Sequence, residues 1–205
     1  MTDLPGDHPL PHPELPAQAP LIFTMKVGEL LCRHHQTVNN PIHFGTSGNN
    51  RFDDPDCASG ASFGVLYTGE DPHCCFIESC GATTGVPAVS GAYLEARSIA
   101  KLELTEELRF VDLASSGGLP HVGADGRLLT GSYKVAQRWS AALRLHPAKP
   151  DGIRYLSRHD PTRVAYAIFT RPTSTFKVSS MDSLMAYANR ALLNQLLRDY
   201  NVDLI

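Results

Sequence analysis

Residues 63–81 read FGVLYTGEDPHCCFIESCG, a short apolar run followed at once by a bounded helix. In the first part Phe63, Val65 and Tyr67 alternate onto one face, as a strand over 63–67 requires. In the second, Asp71 is a good N-cap and Pro72 takes the first helical position, where its missing amide costs nothing. Gly81 suits a left-handed C-terminal position. The predicted helix is 72–80. On it, Glu78 falls four and three residues after Cys74 and Cys75, so its carboxylate shares a face with small, burial-prone side chains. A helix-surface glutamate with small neighbours would satisfy that spacing. So would a catalytic carboxylate at the floor of a pocket.

Working outward, runs of strand length and composition occur at 29–34, 96–104, 108–113, 152–156 and 164–169. Helical periodicity is clearest over 181–200, where Leu184, Ala188, Leu192 and Leu196 recur. A second helix is expected over 133–145, with Val135, Trp139, Ala142 and Leu143 inward. Strands and helices mix without a regular βαβ rhythm, and the expected fold is α+β, a single domain with a mixed central β-sheet flanked by helices. Residues 1–20 hold Pro5, Pro9, Pro11, Pro13, Pro16 and Pro20, which prevent helix and sheet ladder alike. They read as a proline-rich extended or disordered arm, with the folded domain over 21–205. Residues 44–61, dense in Gly, Asn, Asp and Ser, read as a loop able to wrap a ligand.

The 205 residues suffice for one domain with a sizeable core. With 42% hydrophobic and 19% charged residues, and apolar runs far short of a bilayer span, no membrane association is expected. A net charge of -3 argues against direct binding of nucleic acid, which needs a basic field to displace counterions. Five cysteines, two of them adjacent, make a poor disulfide framework. With no secretory pattern at the start of the chain, they indicate a reducing, cytoplasmic setting.

Four further polar residues interrupt apolar stretches. Arg33 ends ELLCR on the face of Leu31, and an inward guanidinium should meet an anion unless it reaches solvent along its stem. Arg51 and Phe52 break the glycine-rich loop. Tyr67 packs with Phe63 and Val65, or stacks on a flat heterocycle. Ser157 ends GIRYLS on the face of Ile153 and Tyr155. Two cations, a phenol, a carboxylate and a hydroxyl suit an anionic dinucleotide with a cleavable glycosidic bond better than a metal.

In order, LLCRHH, NRF, GVLYTGEDPHCCFIES and DGIRYLSRHD resemble the RES domain family, named for its Arg, Glu and Ser. The similarity runs from about residue 21 to 169. It implies an ADP-ribosyltransferase-like fold and a toxin of a toxin–antitoxin pair that consumes NAD or transfers its ADP-ribose. The partner so implied is an Xre-type helix-turn-helix antitoxin that covers the active site. Carried over by position, Arg33, Glu78 and Ser157 are the family's arginine, glutamate and serine, and Arg51 and Tyr67 match two further polar positions. The chain departs from the family at His34, where tyrosine is common, and at Phe52, where tryptophan is. Both departures keep a flat ring.

The resemblance makes NAD the substrate, with no metal cofactor. Arg33 and Arg51 would hold the pyrophosphate, Tyr67 and His34 would flank the nicotinamide or ribose, and Ser157 would bond near that end. Glu78 would stabilise the cationic sugar. ADP-ribose would pass to inorganic phosphate or water. The alternatives are transfer to a protein side chain and a noncatalytic module that binds a nucleotide or the antitoxin. A nucleophile built from His73, Cys74 and Cys75 is disfavoured because neighbours on one helix rarely meet in the required geometry. The nine histidines lack metal-ligand spacing.

Overall fold

A computed structural model describes residues 8–81 and 87–205. In it, ten strands and six α-helices are assigned among the described residues. The strands are β1 (Ile22–Met25), β2 (Leu30–Gln36), β3 (Val65–Gly69), β4 (Ala88–Val89), β5 (Arg97–Leu104), β6 (Leu108–Asp112), β7 (Gly152–Leu156), β8 (Val164–Phe169), β9 (Phe176–Asp182) and β10 (Asp203–Leu204). The helices are α1 (Pro72–Cys80), α2 (Gly91–Glu95), α3 (Gly118–His121), α4 (Arg127–Thr130), α5 (Tyr133–Arg144) and α6 (Arg190–Asp199). Eight strands form one sheet in the order β1-β6-β7-β8-β3-β2-β5-β9, and β4 and β10 pair separately. Within the large sheet β6 and β7 run parallel, because α3 to α5 carry the chain back between them, and the other pairs are antiparallel. The expected α+β class with a mixed sheet is the observed one.

Three apolar clusters hold these layers together. Trp139 and Leu143 of α5 pack on Val111, Ile153 and Phe63. Phe76 of α1 and Leu193 and Leu196 of α6 pack with Cys32 and Leu94. The remaining cluster joins Met25 of β1 and Phe176 of β9, the two end strands, to Leu31, Leu66 and Phe110. Residues from both edges meet in one cluster because the sheet is curled.

One break in the sheet decides where a ligand can enter. β2 pairs with β5 along its whole length, Leu30↔Glu103 to Gln36↔Arg97, but meets β3 only at Cys32↔Gly69. Beyond that pair the two strands splay, and Gly45 bridges Val65 at the far end of β3. Gly69 marks the hinge of the split, since a Cβ there would lie 2.7 Å from the Cys74 Cβ, so only glycine lets α1 sit against β3.

Helix α1 has the expected bounds, with the Asp71 carboxylate accepting from the Cys74 amide at 2.8 Å. Gly81 is not left-handed, at φ -79°. Glycine is required there by crowding, because a Cβ would come within 2.5 Å of the Ile77 carbonyl oxygen. The long closing helix expected over 181–200 is only half present. Met181 belongs to β9, opposite Ala100, a 3-10 turn follows at Tyr187–Asn189, and α6 begins at Arg190. Leu184 remains buried, so the apolar period reported burial correctly and helix length wrongly.

The proline-rich stretch from residue 8 onward lies on the fold. It makes one 3-10 turn at Leu15–Ala17, and Leu15 joins the α5 cluster. Trp139 Nε1 donates to the Pro9 carbonyl at 2.9 Å, the His8 ring meets the Trp139 ring edge-on at 5.2 Å, and His146 Nε2 bonds the Leu15 carbonyl at 3.1 Å. Residues 1–7 of the expected arm lie outside the described residues. No helix among the described residues is long and apolar enough to cross a membrane.

Candidate active site

The split between β2 and β3 opens into a cleft of about 420 Å³, a size usual for a small-molecule site. Arg33 and His34 of β2, Arg51 of the glycine-rich loop, Tyr67 of β3 and Glu78 of α1 all reach its wall. Five of the six residues singled out from the sequence therefore converge. Ser157 lies behind the wall, 1% exposed.

Glu78 is exposed toward the cleft and is the one acidic side chain among the described wall residues. Its Oε1 accepts the Ser157 hydroxyl proton at 2.5 Å, while Ser157 Oγ accepts from the amides of His159 (3.2 Å) and Asp160 (3.3 Å). The serine's hydrogen is spent on Glu78 and its lone pairs on the following turn. It orients the carboxylate, and the direct ligand contact expected of it is not what this geometry offers.

Arg33 and Arg51 are held alike, by neutral acceptors. Arg33 Nη1 donates to the carbonyls of Pro41 (2.6 Å) and His43 (3.0 Å), and burial lowers its pKa to about 10, which leaves it charged. Arg51 is 7% exposed; its Nη1 donates to the Leu128 (3.3 Å) and Gly131 (3.0 Å) carbonyls, and its Nη2 is buried without a partner. Among the described residues neither arginine forms an ion pair.

Tyr67 packs against the cluster that holds Phe63 and Val65, as one of its two expected readings had it, and its hydroxyl is committed within the fold. Its hydroxyl donates to Asp53 Oδ1 at 3.0 Å and accepts from the Phe52 amide at 2.9 Å. Burial and the Asp53 charge push its pKa well up, so it stays a phenol. Asp53, 0% exposed, also accepts from Ser47, from the Asn50 amide and from the Asn50 side chain. From the other side, Gln137 donates to the Gly48 and Asn50 carbonyls, and Ser140 to that of Phe52. The loop expected to wrap a ligand is pinned to β3 and α5, and Arg51 is fixed with it. Phe52 is fully buried and meets the Tyr155 ring at 4.9 Å, so its ring serves the core.

His34 carries a definite tautomer. The Ser79 hydroxyl donates to the Cys75 carbonyl at 2.5 Å, so the 2.7 Å contact with His34 must be donation from Nδ1. Burial first, then the charges of Arg97 and His35, lower its pKa to about 4. The neutral ring leaves Nε2 as a bare acceptor, buried with no partner. The cysteine alternative has no support in this geometry, since burial and then the Glu78 charge push the Cys74 thiol up, away from a reactive thiolate.

Sequence reasoning overlooked Asp53, Tyr133, Arg158 and His159. Asp53 was hidden in a turn-rich run, and Tyr133 read as a helix start. Arg158 had one visible signal, its place directly after the serine of the GIRYLSR segment.

Against known proteins, residues 30–187 match the RES domain family. The chain is 31% identical to the protein named "Probable toxin y4kH" of Sinorhizobium fredii over 114 residues, 56% of this chain and 87% of that protein. Its fold is similar to that of a chain in the crystal structure of the M. tuberculosis MbcT-MbcA toxin-antitoxin complex. The TM-score is 0.57 at 17% identity, over 84% of this chain and 91% of the other. With the family match spanning most of its length, the chain belongs to the RES domain family.

Proposed function

We propose that this chain is the toxin of a toxin–antitoxin pair and that it cleaves the nicotinamide–ribose bond of NAD, passing ADP-ribose to phosphate or water. The carrying observation is the pairing of one oriented carboxylate, Glu78, with the guanidinium groups of Arg33, Arg51 and Arg158 around a single cleft. The family, the name of the Sinorhizobium relative and the fold shared with a toxin–antitoxin complex support the biological setting.

In this reaction the bond from the ribose carbon to the ring nitrogen breaks, and its electron pair neutralises the pyridinium, which leaves as nicotinamide without needing a proton. Positive charge grows on the sugar, as in other glycosyl transfers. Glu78 stabilises it: at about 4 Å and an effective dielectric near 20, one such charge pair is worth roughly 4 kcal/mol. The acceptor oxygen then bonds to the same carbon and sheds its proton to solvent. A wall rich in guanidinium groups admits phosphate as readily as the dinucleotide, which favours phosphate or water over a protein acceptor. On this reading the protein would act in the cytoplasm beside its substrate, and the partner would be an Xre-type helix-turn-helix antitoxin seated over the cleft.

The test is incubation of purified, antitoxin-free protein with NAD, with and without inorganic phosphate, and separation of the products by mass. Free nicotinamide with ADP-ribose, or with its 1-phosphate when phosphate is added, is expected. Unchanged NAD in every condition overturns the proposal, and ADP-ribose mass found on protein reassigns the acceptor.

A further inference from the structure

Tyr133, the first residue of α5, gathers two cations that come from distant parts of the chain. The Arg51 guanidinium carbon lies 4.6 Å from its ring centroid and that of Arg158 lies 5.6 Å from it. Like charges collected over one ring repel, and the ring's electron-rich face offsets only part of that cost. The repulsion is felt: burial, then the Arg158 charge, hold Arg51 below its ordinary pKa, against the opposing pull of Tyr133. Among the described residues neither cation has a carboxylate partner in an ion pair.

Both guanidinium groups are nonetheless steered. Arg51 spends Nη1 on two carbonyls and keeps Nη2 buried and unpartnered. Arg158, exposed at the cleft, donates its Nε to His159 Nε2 at 3.1 Å, and among the described residues its terminal nitrogens make no hydrogen bond. Burial, with Arg158 and Arg51 nearby, holds the His159 pKa below its ordinary value against the pull of Glu78, so the ring stays neutral and keeps accepting that bond. An exposed guanidinium fork beside a second, buried guanidinium charge is a receptor for an oxyanion, because a planar guanidinium gives two parallel hydrogen bonds to phosphoryl oxygens.

We propose that Arg51 and Arg158, collected by Tyr133, form a clamp for a phosphoryl oxyanion, with Arg158 the member that sets affinity at the cleft mouth. The oxyanion is either the pyrophosphate of the dinucleotide or the free phosphate that accepts ADP-ribose, so the ligand's identity rests on the NAD-cleavage reading. Anion binding does not depend on that reading. Arg33 lies on the same wall but is not among the cations gathered over the Tyr133 ring.

The experiment compares the parent with Arg158→Gln and Arg158→Lys. Calorimetric binding of inorganic phosphate and of pyrophosphate is measured first, then KM for NAD, for inorganic phosphate and for nicotinamide riboside, which carries no phosphate. Arg158→Gln should weaken binding of the anion about 10-fold or more, the loss of a charge-assisted bidentate contact, and Arg158→Lys should recover only part of it. A rise of about 10- to 100-fold in KM for NAD that exceeds the change in KM for the riboside by at least about 10-fold assigns the clamp to the pyrophosphate. A rise confined to KM for phosphate assigns it to the acceptor. Unchanged anion binding and unchanged KM values in a variant that melts with the parent overturn the clamp. If the parent releases no nicotinamide, the functional reading fails while the calorimetry still decides the clamp.

Discussion

Replacing Ser157 by alanine separates orientation from chemistry in this cleft. The substitution removes the 2.5 Å bond to Glu78 Oε1 from a residue that is off the cleft wall. A hydrogen bond to a charged group contributes about 1.5–3 kcal/mol, which at about 1.4 kcal/mol per decade corresponds to a loss of roughly 10- to 150-fold in rate. Glu78 is exposed toward the cleft, so the freed carboxylate turns to water instead of to the sugar. The loss should therefore appear in kcat for nicotinamide release, with KM for NAD within about 3-fold of the parent. Stability should fall modestly. The His159 and Asp160 amides lose a long acceptor, at about 0.5–1 kcal/mol each, or a few degrees in Tm for a chain of this length. The decisive comparison is the double variant. Glu78→Gln alone should cost about 10²- to 10³-fold. If Ser157 acts through Glu78, adding Ser157→Ala to it should cost less than about 3-fold more. Full multiplication of the two losses, or a Ser157→Ala effect on KM alone, refutes the positioning role.

Two further outcomes follow from burial. His34, with its pKa lowered from 6.5 to about 4, is neutral in the fold. The stability it contributes is complete above pH 6.5 and is lost as pH falls toward 4, up to about 3 kcal/mol. His34→Gln should flatten the fall of the urea midpoint in that window relative to the parent, and parallel curves for the two proteins would contradict the buried neutral ring. Removing residues 1–20 takes the buried Leu15 out of the α5 cluster and takes the carbonyl partner from Trp139, the chain's sole tryptophan. The cost should be about 3–5 kcal/mol by apolar burial and lost bonds, with a red shift in fluorescence. Unchanged emission and melting would show that the arm is no part of the domain.

What the sequence disclosed depended on how local each cause was. Helix α1 and strands β7 and β8 were legible to the residue, because caps, prolines and apolar runs act within a few positions. Strand β1 was missed because it is only four residues long, with Pro20 two positions before it and Lys26 directly after. Strand β9 was missed because KVSSMD is exposed after Phe176 and carries no apolar alternation. The convergence of Arg33, His34, Arg51, Tyr67 and Glu78 was expected from the resemblance to the RES family that the order of their segments carries. Their division of labour was not. That Tyr67 serves Asp53, that Ser157 serves Glu78, and that residues 51, 133 and 158 meet over one ring depend on contacts across the sheet that no spacing encodes.

How the arginines are restrained separates function from structure more sharply than their positions do. Outside the cleft, Arg154 is paired with Asp112 at 2.8 Å, fastening β7 to β6, and Arg163 with Asp71 at 2.7 Å, fastening the turn before β8 to the start of α1; each cation is neutralised in doing so. Inside it, Arg33 and Arg51 are aimed by backbone carbonyls, Arg158 by a neutral imidazole, and Glu78 by a hydroxyl. Such partners fix direction and leave the charge intact. A fold selected for stability alone would quench partly buried cations with carboxylates or replace them by apolar groups, since unpaired charge is costly away from water. Here Arg33, Arg51 and Arg158 carry that cost together along one cleft, where the sheet splits after Cys32 and Gly69 and a ligand carrying both phosphoryl oxygens and a developing cation would cancel it. On the proposed reading the split and the unquenched charges are one device: the first would admit the ligand, and the second would be balanced once it is bound.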